Sequence, residues 1–228
     1  MAGQAVEDYL RAILTLSESR RRVSTSALAE HLGVKPSSVT AMVKRLSRER
    51  PRLLDYRSHQ GVRLTEAGAR IALDVLRRHR LIEQLLVTVL GYGWDEVHAE
   101  AHRLEHCVST ELIDRVDRFL RHPELDPHGR PIPGKDGQMT APRELPLTGA
   151  PVGEAVRVSS VRSEEVEFLR YLTRVGLELN APVRVLEAPP AGGVLQVEVG
   201  ADGGEQREVI SAATAEKVFV TRAVERPE

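Results

Sequence analysis

Four residues in one stretch, His98, His102, Glu105 and His106, carry the imidazole and carboxylate donors that hold a divalent transition-metal ion. They stand at i, i+4, i+7 and i+8, which at about 3.6 residues per turn places all four on one stripe of a helix. Upstream, His79 and Glu83 repeat the i, i+4 interval. If both segments are helices packed antiparallel across the break Leu90-Gly91-Tyr92-Gly93, six nitrogen and oxygen donors face one another. Asp8, in the first amphipathic segment, adds a carboxylate from a separate module. A lone His or a single Glu/His pair is usually a surface or core feature, and His31, His59 and His122 are read that way. Four donors on one stripe beside a second pair are hard to explain as core. The set contains no thiolate, because Cys107 points about 100° away from His106 around a helix. Such donors suit Mn²⁺, Fe²⁺, Co²⁺, Ni²⁺ or Zn²⁺, with Cd²⁺ able to substitute; Mn²⁺ is held most weakly, so selectivity for it must come from coordination number and geometry.

The elements that must position these donors follow from periodicity. Residues 5–17 bring apolar side chains round at a helical interval, from Ala5 and Val6 to Leu16. Ser24 and Thr25 can cap a helix over 26–32 that ends at Gly33. Pro36 suits the first position of a third helix, whose buried stripe is Val39, Met42, Val43 and Leu46. Strand-like runs at 52–57 and 61–65 flank the turn Ser58-His59-Gln60. This is the element order of a winged helix-turn-helix. A long helix follows from Thr65 to about Leu90, then a second from about Asp95 to Arg121, with more apolar surface than one chain covers easily; that predicts a homodimer.

Residues 122–151 hold seven prolines and four glycines, which reads as a linker partly fixed by its prolines. Beyond it, strand-like runs at 155–158, 183–186, 194–199 and 217–221 surround one helix, about 163–175. With turns at Pro189-Pro190, Gly192-Gly193 and Gly203-Gly204, they fit a small barrel of SH3 type. The fold class is therefore mainly α with a small β component. It comprises a winged helix-turn-helix over 1–72, a helical metal-binding and dimerisation domain over 73–140, a linker over 141–152 and an SH3-like domain over 153–228.

Charge divides along the same lines. Residues 1–72 carry 13 Lys/Arg against 7 Asp/Glu, although the whole chain is net −1. A basic first third on an acidic remainder points to one anion-binding module. In the helix pair, Ser37, Ser38 and Thr40 occupy the start of the groove-entering helix, with Lys35 just before it. Lys44, Arg45, Arg48 and Arg57 are placed for phosphates. No apolar run approaches the ~20 residues of a membrane span. The mixed N-terminus does not read as a signal peptide, and a single cysteine fits a reducing cytoplasm.

Five stretches together resemble the diphtheria toxin repressor family of iron- and manganese-dependent regulators: VEDYLRAI, VKPSSVTAMVKRL, RRHRLIEQLL, EVHAEAHRLEHCVS and DPHGRPIPG. The resemblance covers essentially the whole chain. It implies a dimeric, metal-activated repressor of metal-uptake genes that binds palindromic double-stranded operators. It also implies that His79, Glu83, His98, Glu105 and His106 are metal ligands. The first-helix ligand, methionine in iron-type members, is Asp8 here, as in manganese-type members. His102 matches neither type, and Arg11 replaces the glutamate that manganese-type members place one turn after the aspartate. In long members the SH3-like domain closes a second site, and Glu164, Glu165 and Glu167 fall in that region. Oxygen at position 8 and the absence of sulfur favour Mn²⁺, with Fe²⁺ the alternative. A bound ion that ties Asp8 to the dimerisation helices would fix the spacing of the two recognition helices. A metal-dependent hydrolase built on the His/Glu cluster is the rival from another class.

Overall fold

The computed structural model describes residues 3–17, 22–140, 142–188, 193–200 and 206–222. Of the expected turns, Pro189-Pro190, Gly192 and Gly203-Gly204 lie outside the described residues. The chain separates into two compact units. One holds residues 1–79, 103–113 and 133–139; the other holds 80–102, 114–132 and 140–228.

The first unit begins with α1 (Gln4–Ser17), α2 (Thr25–Leu32) and α3 (Pro36–Leu46). Ser24 caps α2 by accepting from the Ala27 amide, and Gly33 closes it in the left-handed region at φ 64°. Two short strands, β1 (Leu54–Arg57) and β2 (Gly61–Leu64), pair antiparallel as the wing. Leu10 and Ile13 of α1 pack in one core with Leu28 of α2 and with Val39, Val43 and Leu46 of α3. Burial of that stripe makes α1 and α3 move as one body. Within the wing, Asp55 accepts from Arg22 at 2.5 Å and from Arg63 at 2.7 Å. Arg22 and Arg63, two of the basic residues of the first third, are thus partly spent on holding the hairpin.

Thr65 starts α4 (Glu66–Leu90) by accepting from the Gly68 amide. The segment expected as one helix over about 95–121 is instead α5 (Val97–Leu104) and α6 (Thr110–Phe119). The physical cause of this correction is Ser109, whose hydroxyl accepts from the Leu112 amide and whose carbonyl accepts from the Ile113 amide, so that it caps a new helix. Glu105 and His106 therefore lie in the turn that follows α5, not inside a helix.

The second unit is built on a six-stranded antiparallel sheet. Its strands are β3 (Leu145–Pro146), β4 (Ala155–Val161), β5 (Pro182–Glu187), β6 (Val194–Val199), β7 (Gln206–Ser211) and β8 (Val218–Arg222), in spatial order β3-β8-β4-β5-β6-β7. The helix α7 (Val166–Arg174) joins β4 to β5, and α8 (Ala212–Ala215) joins β7 to β8. Alternation is plain in β6, where Leu195, Val197 and Val199 are buried. The stretch expected as a linker over 141–152 is in part structural. Leu145 pairs with Val220, and Leu147 and Ala150 belong to the core of the sheet. Apolar residues among the prolines found a partner surface there, which a reading by composition misses.

Gly68 sits where α4 meets the start of the wing. A Cβ at this position would run into the Leu53 carbonyl oxygen. Glycine to alanine in a helix ordinarily stabilises by up to about 1 kcal/mol. Gly68→Ala should reverse that sign and destabilise by about 1–3 kcal/mol, as overpacking does. Urea denaturation of the two proteins measures it.

Candidate metal centres and nucleic-acid interface

In the first unit, α1 brings Asp8 to the turn after α5. Asp8 Oδ1 lies 3.0 Å from His106 Nε2, and Glu105 Oε1 lies 3.1 Å from the same nitrogen. One donor atom from each of the three falls within 4.8 Å of the others. The ring is oriented from behind, because His106 Nδ1 sits 2.8 Å from Glu7 Oε2 and donates to it. That leaves Nε2 as the ring's donor atom toward the group. Glu7 is itself buried and accepts from Arg78, whose other nitrogen donates to the Glu105 carbonyl at 2.8 Å. Sequence reading missed Glu7; the available signal was a carboxylate on a face of α1 that also carries Leu10.

Glu105 is fully buried, and its second oxygen accepts from His79 Nδ1 at 2.7 Å. Arg11 Nη1 lies 3.7 Å from that oxygen, so the residue that departs from the manganese-type pattern supplies a fixed positive charge there. Whether these residues fit an ion is decided at Asp8. Its Oδ1 is buried, faces nitrogen at 3.0 Å and makes no hydrogen bond. Donors held this close but not aligned on each other are arranged for a third atom, and a hard oxygen with imidazole suits Mn²⁺ or Fe²⁺. The residues fit.

His102 is half-buried, one helical turn ahead of Glu105 and His106. His79 likewise stands one turn ahead of Glu83 on α4.

In the second unit, His98 is held between two carboxylates. Its Nδ1 is 3.3 Å from Glu83 Oε1, and its Nε2 is 3.0 Å from Glu164 Oε2. Arg130 donates to Glu164 at 2.5 Å and lies 3.6 Å from Glu83. Burial alone would lower the His98 pKa, but hydrogen bonds to Glu164 and then Glu83 override it and push it up to about 9. Burial likewise opposes the charge of Glu164, yet His98 and Arg130 hold its carboxyl well below the usual range. Glu165 is the residue before α7, with no side-chain capping bond. Glu167 is not brought to this group. It stands exposed in the first turn of α7, paired with Arg170 at 3.3 Å, because α7 starts after Glu164 and turns the next carboxylates outward.

A third set, Glu83, Asp126 and His128, also offers donors within 4.8 Å of one another. Asp126 accepts from the His128 and Arg130 amides and pairs with Arg80 and Arg130 side chains. His128 Nε2 donates to the Trp94 carbonyl at 2.8 Å, and the two rings stack. These groups close a turn and neutralise one another.

Of the residues expected to contact DNA, Lys35, Ser37, Ser38, Lys44, Arg45, Arg48 and Arg57 are exposed. Thr40 is half-buried and donates to the Pro36 carbonyl at 3.0 Å, so only its oxygen lone pairs remain for a base edge. Arg45 lies 3.5 Å from Glu49, and Arg57 lies 4.0 Å from Asp55. Exposed pairs this loose are readily exchanged for phosphate.

Comparison with known proteins matches three successive stretches of the chain. Residues 1–62 match the model of the iron dependent repressor N-terminal DNA binding domain. Residues 65–134 match the iron dependent repressor metal binding and dimerisation domain, and 145–222 match the FeoA domain. The chain is 35% identical to the iron-dependent repressor IdeR of Mycobacterium tuberculosis over 226 residues, covering 93% of this chain and 96% of that protein. It is 28% identical to the diphtheria toxin repressor of Corynebacterium diphtheriae over 79% of this chain and 84% of that protein. Among solved structures, a manganese-dependent transcriptional repressor in complex with manganese superimposes with a TM-score of 0.87. That structure is 37% identical, and the match covers 96% of this chain and all of that one (100%).

His98 owes its raised pKa to Glu164 and Glu83, so the fold stabilises the imidazolium. That contribution is full below about pH 6.5 and fades as the pH rises through about 9. In chelator-treated protein, NMR should find His98 titrating near 9, and Glu164→Gln should bring it down toward the ordinary histidine range.

Proposed function

Because the chain belongs to the family of iron-dependent repressors, we propose that it is a transcriptional repressor that Mn²⁺ activates to bind palindromic operators of metal-uptake genes. The observation that carries this reading is the meeting of Asp8 with Glu105 and His106. It joins the helix that backs the DNA-reading helix to the segment matched as metal-binding.

In this reading Asp8, Glu105 and His106 hold one ion, and Glu83, His98 and Glu164 hold a second; His79 and His102 are proposed as further ligands. A divalent ion supplies the positive charge that lets these carboxylates and imidazoles stay converged. The chain's own residues do the rest. Glu7 holds the His106 ring with Nε2 toward the group. Glu105 holds His79. Asp8 transmits whatever fixes it to α1, and the shared core passes that constraint to α3. Lys35, Ser37, Ser38 and Thr40 then face bases, while Lys44, Arg45, Arg48 and Arg57 face phosphates.

Dimerisation is supported by apolar surface in the second unit. Val89, Leu90 and Phe119 are exposed, and Phe119 shares a groove with Leu85 and Val116. A second copy would cover it. Mn²⁺ is favoured over Fe²⁺ by the oxygen of Asp8 and by the manganese complex among the similar structures. Fe²⁺ is favoured by the names of the curated relatives. The hydrolase reading loses ground, since the repressor family models span both the donor clusters and the DNA-reading module.

Anaerobic titration of operator binding with Mn²⁺ and with Fe²⁺ tests the proposal. Coupling through Asp8 should raise operator affinity by about 5–150-fold, the usual range for linked sites, and Asp8→Ala should abolish most of that gain. Equal affinities with and without either metal would sink the proposal, and a larger gain with Fe²⁺ would reassign the signal.

A further inference from the structure

The second donor group already contains a cation. Arg130 places Nη1 at 2.5 Å from Glu164 Oε1, Nη2 at 3.6 Å from Glu83 Oε2 and Nε at 2.9 Å from Asp126 Oδ2. Two of those carboxylates, Glu83 and Glu164, are the ones that face His98. The guanidinium is not on a free stem. The Arg130 amide donates to Asp126 Oδ1, and the turn passes through Gly129 at φ 80°, where a Cβ would run into the Ser159 carbonyl oxygen.

Charge counting gives the consequence. Among the described residues, Glu83, Asp126 and Glu164 face two guanidiniums, Arg80 and Arg130. With both guanidiniums engaged, the three carboxylates retain one negative charge, too little for a divalent ion beside a neutral imidazole. With Arg130 withdrawn they retain two, which matches the ion. A guanidinium does not escape by losing its proton, and its planar fork spans two carboxylates as an ammonium does not. The first group differs. There Asp8 Oδ1 and Glu105 Oε1 face His106, while Arg78 is bonded to Glu7 and Arg11 approaches the far oxygen of Glu105.

We propose that Arg130 is the resident counter-cation of the Glu83–His98–Glu164 group, which a divalent ion must displace from Glu164 and Glu83. The group then binds metal more weakly than its donors alone would, and it fills after the Asp8–Glu105–His106 group. The proposal rests on reading Glu83, His98 and Glu164 as metal donors.

Equilibrium dialysis of the full-length chain against Mn²⁺ at fixed ionic strength tests it. Wild type should show two classes of site. In Arg130→Gln the weaker class should tighten by about tenfold or more, the stronger class should stay within about twofold, and Arg130→Lys, which keeps the charge but does not span both carboxylates, should tighten by less than Arg130→Gln. Unchanged or weakened second-class binding in a folded Arg130→Gln overturns the proposal. If instead no variant shows a second class while the first is intact, the donor reading itself has failed, and the proposal with it. A measurement on wild type guards against a variant that does not fold. In a Cd²⁺ titration, the Arg130 side-chain ¹⁵N resonances should move with the second equivalent, as should the fluorescence of Trp94, the chain's one tryptophan, which stacks on His128 beside Arg130. Arg130 resonances that stay fixed through the second equivalent overturn it too.

Discussion

Both oxygens of Glu105 are committed, one toward His106 and one to His79, and the side chain is sealed from water. A carboxylate in that position is costly unless it is matched by positive charge or by aligned donors, and removing one partner leaves the other stranded. The rest of the first unit is arranged around this demand. Arg11 reaches it from α1, Arg78 bonds its backbone carbonyl from α4, and Glu7 turns the His106 ring toward it. These side chains come from α1 and α4, so the buried charge is what gathers α1, α4 and the turn after α5 at one point.

Because α1 shares its core with α3, that gathering point is also a handle on the DNA-reading helix. Local cost and distant effect are linked by packing: Leu10 and Ile13 fix α1 against α3 through close-packed side chains that do not deform continuously. A constraint at Asp8 can therefore be passed to α3 by packing, which is the route the proposed coupling between metal and operator would take.

Much of this was legible in the sequence because the responsible signals are local. The Ser24 cap, the Gly33 stop, Pro36 at a helix start and the alternation in β6 each act within a few residues, and the elements formed where those signals stand. The donor pairs His79 with Glu83 and His98 with His102 were legible for the same reason, as intervals along helices. What escaped depends on partners far away in the chain. Glu7 looked like one more charge on an amphipathic helix until Arg78 and His106 were found beside it. Arg130 read as part of a proline-rich turn, and its three carboxylate partners come from positions 83, 126 and 164. The break between α5 and α6 was hidden because the apolar periodicity runs straight through it, while the Ser109 cap is a weaker signal than the stripe it interrupts.

The two donor groups answer the same electrostatic problem in different ways, and the difference bears on what each can do. In the Glu83 group, an imidazolium and a guanidinium neutralise the carboxylates inside a network that also closes the turn around Asp126. Such a network stabilises the unit in which it sits, although Glu83 Oε2 is itself buried without a hydrogen bond. In the Asp8 group Arg78 is bonded to Glu7, Arg11 lies 3.7 Å from the outer oxygen of Glu105, and Asp8 Oδ1 is left buried without a hydrogen bond. An arrangement with an outstanding electrostatic cost is one whose stability responds steeply to a ligand that removes it, since a ligand shifts an equilibrium only by its differential affinity for the two states. The group that contains Asp8 carries that cost on α1, the helix that shares its core with α3, and this is the physical reason for proposing it as the sensor and the Glu83 group as support.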